Sequence, residues 1–148
     1  MKTLKYLVFF FSISLFLDTN LVNASYKEVL AKVYIHYSKA EYTEALQKLK
    51  TVRGNKEVQA LVHYWNGKVF SKTQEYDKAD IEFKKAVKKK AKIKDLYYLY
   101  GQTLYASQEL EMARKYFLTS AIKRKFKPGA SYYYSGVISQ MLEEPKKA

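Results

Sequence analysis

The sequence predicts an all-α chain, and three observations carry that expectation. Landmarks recur every 34 residues. Gly67 falls on Gly101 downstream and Val33 upstream, Tyr76 on Leu110 and Tyr42, and Ala79 on Ala113 and Ala45; Phe83 falls on Phe117 and Leu49, and Ala86 on Ser120 and Val52. A register held over three copies without a gap marks a repeat architecture. Glycine and proline are scarce, 5 and 2 in 148 residues, and the apolar spacing is helical throughout. The chain has no cysteine, so disulfides cannot brace it. Stability has to come from helix packing, which a 48% hydrophobic composition makes feasible.

The first 24 residues read differently from the rest. Met1 to Lys5 is short and basic, Tyr6 to Leu17 is apolar except for Ser12 and Ser14, and Val22-Asn23-Ala24 offers a small residue at its end. Basic, apolar, then small is the order of a secretory leader, and the apolar run is shorter than the roughly 20 residues that cross a bilayer. Residues 1–24 are therefore expected to be a signal peptide cut between Ala24 and Ser25, with an uncleaved membrane anchor as the alternative. The expected location is exported, periplasmic or secreted, and without a cysteine there is no lipobox to anchor it as a lipoprotein.

One domain is expected over 25–142, in repeats of about 26–55, 56–92 and 93–127. Ser25 to Glu28 has capping-box form and opens a helix that reaches about Ser38. Its partner runs from Tyr42 to about Val52, ended by Gly54. A second pair is expected at Lys56–Lys72 and Tyr76–Lys90, a third at Lys94–Ser107 and Glu109–Lys123. Pro128-Gly129 stops the pattern, a capping helix follows over about 130–142, and 143–148 is expected to be a flexible tail. Two antiparallel helices approach closely only where side chains are small, so Gly67 is expected to face Ala79, and Gly101 to face Ala113. Phe70, Tyr76, Phe83, Leu104, Leu110 and Phe117 would fill the space around them, with Ala86 and Ser120 admitting the next pair.

Gly67-x2-Phe70 with Ala79-x3-Phe83, and Gly101-x2-Leu104 with Ala113-x3-Phe117, resemble the tetratricopeptide repeat. Ala45-x3-Leu49 keeps the second half of that motif in the first copy, where Val33 and His36 replace the small and aromatic residues. Trp65 lies two before the glycine rather than four, and Pro128 is displaced from the family's position. The resemblance implies a right-handed superhelical solenoid of three helix-turn-helix pairs with a C-terminal capping helix, and a non-catalytic adaptor or scaffold.

Catalytic and metal chemistry find no foothold. His36 and His63 fall on faces expected to pack and belong to no cluster with metal spacing. There is no phosphate loop or nucleophile elbow; Asp77, Asp80 and Glu82 read as a solvated helix start favoured by the macrodipole. No enzyme activity, cofactor or small-molecule substrate is expected.

By the same resemblance, the first helix of each pair would line a concave surface that grips a peptide or protein. Its exposed positions would be Leu30, Tyr64, Tyr98 and Tyr132, then Tyr34, Lys68, Gln102 and Gly136. Tyr37, Ser71, Tyr105 and Ser139 come next, followed by Ser38, Lys72, Ala106 and Gln140. The expected partner groove is thus Tyr34, Tyr37, Tyr64, Lys68, Lys72, Tyr98, Gln102, Tyr105 and Tyr132, since tyrosine presents a large contact area with few torsions to freeze. The bland alternative is that these rings stack and seal adjacent helices. A carboxylate clamp of the chaperone-binding branch is absent: the corresponding residues are Leu30, Tyr34, Trp65, Asp95 and Leu99.

The net charge of +13 concentrates elsewhere. Lys84, Lys85, Lys88, Lys89, Lys90, Lys92 and Lys94 form one run, Lys123, Arg124, Lys125 and Lys127 a second, and Lys48, Lys50, Arg53 and Lys56 a weaker third. All sit at the ends of second helices and in the turns beyond. Cations there complement the helix dipole, but seven lysines in eleven residues exceed what one helix end can use. A solvated edge is one reading; docking on an anionic envelope surface is the other, making the chain a structural subunit of an envelope assembly. Nucleic acid fits the charge but seldom meets an exported domain.

Overall fold

Period-34 landmarks become helices and tight turns. A computed structural model describes residues 26–143, and every regular element among them is helical. Residues 26–38 form α1; then come α2 (Tyr42–Thr51), α3 (Lys56–Lys72), α4 (Tyr76–Lys88), α5 (Leu96–Ala106) and α6 (Leu110–Thr119). A π-helical turn (Ser120–Arg124) extends α6, and α7 (Pro128–Glu143) closes the series. The expected leader at 1–24, Ser25 of the capping box and residues 144–148 of the expected tail lie outside the described residues. The helices fall into two compact units, one ending at Gln59 and the other beginning at Ala60.

The repeat is visible in the turns themselves. Ala40, Gln74 and Gln108 all hold left-handed backbone, with φ of 61°, 62° and 66°. In each copy the next amide reaches back five residues: Glu41 to the His36 carbonyl and Glu75 to the Phe70 carbonyl at 2.9 Å, Glu109 to the Leu104 carbonyl at 2.8 Å. This is a Schellman closure, which satisfies carbonyls that the helix end leaves open and favours glycine at the left-handed residue. The chain places Ala or Gln there and carries the steric cost. Gln74→Gly and Gln108→Gly are each expected to raise stability by about 0.5–1 kcal/mol, read as a shift in the urea midpoint. A loss of stability in both would mean that these turns are not left-handed.

The closest approach within each pair is made to a ring. A Cβ built on Gly67 would lie 2.8 Å from the Phe83 ring, and one on Gly101 would lie 3.1 Å from the Phe117 ring. The nearest group to each glycine is therefore an aromatic ring. Ala79 and Ala113 are fully buried one turn earlier on α4 and α6. Gly54 differs from the expectation: no glycine in the described chain has positive φ, and α2 ends at Thr51 with Val52 extended. Gly54 supplies space, because a Cβ there would meet Val58 at 2.7 Å.

The end of the third pair departs from the second by one residue. In α4 the closing amide is Ala91, bonded to the Ala86 carbonyl, with Lys90 left-handed (φ 57°). Ser120 stands 34 residues after Ala86, but its carbonyl accepts from Phe126, six residues on, and Lys125 is left-handed (φ 49°). One extra residue is accommodated as the π-turn, the usual local signature of an insertion into a helix. Ser120 stabilises it twice, since its hydroxyl also donates to the Phe126 carbonyl at 3.0 Å. Pro128 does not stop the pattern as expected. It is the first residue of α7, where its missing N–H is no loss and its fixed φ suits the helix.

The second unit has a core of Ala60, Tyr64, Ala79, Phe83, Ala86, Leu96, Tyr98, Tyr100, Leu104, Ala113, Phe117 and Ile138. Aromatic rings carry it from α4 to α7: Phe83 lies 5.3 Å from Tyr100, Tyr100 4.2 Å from Tyr116, and Phe117 is stacked on Tyr134 at 4.9 Å. The Thr103 hydroxyl of α5 donates to Ser71 of α3 at 2.9 Å, tying successive first helices by a polar contact.

Candidate functional site

Tyr64 and Tyr98, the central members of the tyrosine series in the expected groove, are each only 6% exposed. Tyr64 donates its hydroxyl to Asp95 Oδ2, just ahead of α5, at 2.8 Å. Tyr98 packs edge-on to Phe117, Phe126 and Tyr134 at 5.6 to 6.4 Å, and its burial pushes the phenol above its ordinary range. These two positions were expected to be exposed and are not: each seals one helix pair to the next. Asp95 has an occupation of its own as the acceptor for Tyr64.

Only Tyr132, the same register position on α7, stays open at 52% exposure. Lys68 lies 4.2 Å from the Trp65 ring centroid and 5.3 Å from that of Tyr64; its burial lowers the ammonium pKa, against the pull of Asp95. Gln102 and Tyr105 are half-buried, the latter bonded to Met141 sulfur at 3.8 Å, while Lys72 is exposed. Tyr34 and Tyr37 belong to the first unit: Tyr34 is exposed, and Tyr37 lies edge-on to Tyr42 at 5.9 Å with its phenol raised by burial.

Two carboxylates expected to be ordinary surface groups are anchors between helices. Glu82 Oε2 meets His63 Nδ1 at 2.7 Å and accepts from Asn66 at 3.3 Å, while its Oε1 accepts from Lys85 at 2.7 Å. Burial works to raise its pKa, but the hydrogen bonds from Lys85 and His63 outweigh that and hold it below the usual carboxylate range. Asp80 accepts from the buried Tyr100 hydroxyl at 2.5 Å and from Lys84 at 2.7 Å. His36, the other histidine, meets Glu41 at 2.7 Å. No group of three potential metal ligands occurs among the described residues, and no described helix is long and apolar enough to cross a membrane.

The basic residues of the second unit lie at helix ends and in the connectors that follow. Lys84, Lys85 and Lys88 occupy the last turns of α4; Lys89, Lys90, Lys92 and Lys94 follow in the connector. Lys123 and Arg124 lie in the π-turn, with Lys125 and Lys127 just beyond. The two runs converge on the first turn of α5, which the first run immediately precedes. Arg124 lies 4.9 Å from the Tyr97 ring and Lys127 lies 5.2 Å from the Tyr98 ring. Within this edge only Lys84 and Lys85 form ion pairs among the described residues, to Asp80 and Glu82. The hydrogen bond from Lys84 to Asp80 raises that lysine's pKa despite slight desolvation.

Comparison with described protein families, curated proteins and solved structures finds no match for this chain.

Proposed function

We propose that this chain is a non-catalytic, tetratricopeptide-like interaction module, exported from the cytoplasm, that docks on an anionic surface through its basic edge. One observation carries the reading: two lysine-rich runs gather around the start of α5, and Lys88, Lys89, Lys90, Lys92, Lys123 and Lys125 have no carboxylate partner among the described residues. Uncompensated like charges repel one another, so an anionic partner recovers energy that the isolated chain does not. A basic residue near an anionic lipid surface contributes about 1 kcal/mol.

Replacing Lys88, Lys89, Lys90 and Lys92 together with glutamine is expected to weaken sedimentation with phosphatidylglycerol vesicles by at least about a hundredfold, leaving the helical circular dichroism unchanged. Added salt is expected to release the native chain, because exposed charges are screened over about 10 Å at 0.1 M. Retention that ignores both the substitutions and the salt excludes this edge. The second reading, a peptide groove, is favoured by the exposed Tyr132 and Lys72. Tyr132→Ala tests it without cutting into the core, as substitution of Tyr64 or Tyr98 would.

A further inference from the structure

The structure points to a second interface, on the opposite chemistry: we infer that the open face of α7 pairs antiparallel with α7 of a second copy of this chain. In the two earlier first helices, α3 and α5, the register tyrosine is buried, Tyr64 bonded to Asp95 just ahead of α5 and Tyr98 packed against Phe126 and Tyr134. After α7 no further helix follows among the described residues. Tyr132 is 52% exposed and its neighbour Tyr133 is 68% exposed. With Gly129, Gly136, Gln140 and Glu143 they occupy one side of the helix, all exposed.

Charge identifies the occupant. The chain has 27 lysines and arginines, yet Pro128 to Glu143 contains none. An anionic surface gains nothing from this face, and it is the part of a strongly basic protein that adds no cation of its own to the approach of a second copy. The charges at its ends are inverted with respect to the helix dipole. Lys125 and Lys127 precede the N-terminal end, where cations are disfavoured, and Glu143 closes the C-terminal end, where a carboxylate is disfavoured. Antiparallel pairing sets each of these charges against its opposite on the partner. Gly136 falls near the middle of the helix, where the two axes cross, and a Cβ there would meet nothing within 4 Å in the isolated chain. The space is therefore free for the partner's backbone or a tyrosine ring. A helix of this length spans about 24 Å, so the contact sits at the small end of specific interfaces and reversible association follows.

The absence of native cysteine makes the test direct. The full chain carrying Gly136→Cys is oxidised under mild conditions and compared with Ile81→Cys, another exposed site, on α4. Disulfide-linked dimer is expected to form at least about ten times faster at position 136, since only that site would meet its own copy. Adding Lys125→Glu with Lys127→Glu, or Glu143→Lys alone, should slow it severalfold by placing like charges across the pair. Mixing the two charge variants should restore the rate, a recovery that a damaged fold cannot produce. Equal rates at 136 and 81, or rates indifferent to these charges, would overturn the interface, including the case in which another segment of the chain covers α7. Because the vesicle measurement depends on Lys88 to Lys92, the two proposals fail independently.

Discussion

Phe117→Ala is expected to cost about 3–5 kcal/mol, the range for removing a fully buried aromatic ring. The ring is wholly buried on α6, fills the space left by Gly101 on α5, lies 5.6 Å from Tyr98 and stacks on Tyr134 of α7. One side chain thus holds three helices. Alanine leaves a cavity bounded by elements that cannot all close on it, so the transfer loss and the cavity term add. Urea denaturation of the variant measures the loss; less than about 1 kcal/mol would mean that the three helices do not depend on this ring.

The paired glycine sharpens the argument. Gly101→Ala in the native chain sets a helix-propensity gain of about 1 kcal/mol against a Cβ 3.1 Å from the ring, so the two effects nearly offset. In the Phe117→Ala background the ring is gone, and the same glycine substitution should restore about 1 kcal/mol. Gly67→Ala is expected to be harmful throughout, because there the Cβ would lie 2.8 Å from Phe83.

These residues show what could be read before the structure. The bounds of α3 were legible because Gly54 and Asn55 before it and the Thr73-Gln74-Glu75 turn after it interrupt an unbroken helical spacing. The 34-residue register also located both glycines. It did not say which ring meets them, since Ala79 and Phe83 lie one turn apart on the same face and periodicity alone cannot separate them. Tyr64 and Tyr98 were misplaced for a related reason: a repeat tells which residues are equivalent, but not what the following repeat lays over them. Asp80 and Glu82 escaped because their equivalents in the next copy are Arg114 and Tyr116, so comparison of copies erased the polar pairs unique to one copy. The π-turn was not read because Ser120, its first residue, is the last landmark of the register, so the one-residue shift falls just beyond it. The all-α class was therefore legible from periodicity, and the burial of the groove tyrosines was not.

Stability is expected to fall steeply above pH 10, and the buried tyrosines set both the direction and the threshold. Tyr100 is fully enclosed; burial, then its hydrogen bond to Asp80 and the charge of that carboxylate, push its phenol far above the ordinary range. Burial also raises Tyr98 and Tyr116, the latter against a lowering contribution from the Tyr100 hydroxyl. In the unfolded chain all three ionise near the usual value of about 10. The folded state then retains protons that the unfolded state releases, so their contribution is complete below pH 10 and lost progressively as pH rises beyond it. Tyr100, which holds its proton furthest, removes about 1.4 kcal/mol per pH unit above that value. Tyr98 and Tyr116 add to the fall in the same direction, each until the pH passes its own raised value. Urea midpoints taken between about pH 8 and pH 11 should be level at first and then drop. Tyr100→Phe should cost about 1–2 kcal/mol at neutral pH, because Asp80 keeps Lys84 but loses its buried donor, and should make the alkaline fall shallower by one tyrosine's share. An identical slope in that variant would show that the Tyr100 hydroxyl ionises as freely in the folded chain as in the unfolded one, and that the tyrosine–carboxylate contact joining α4 to α5 does not hold its proton.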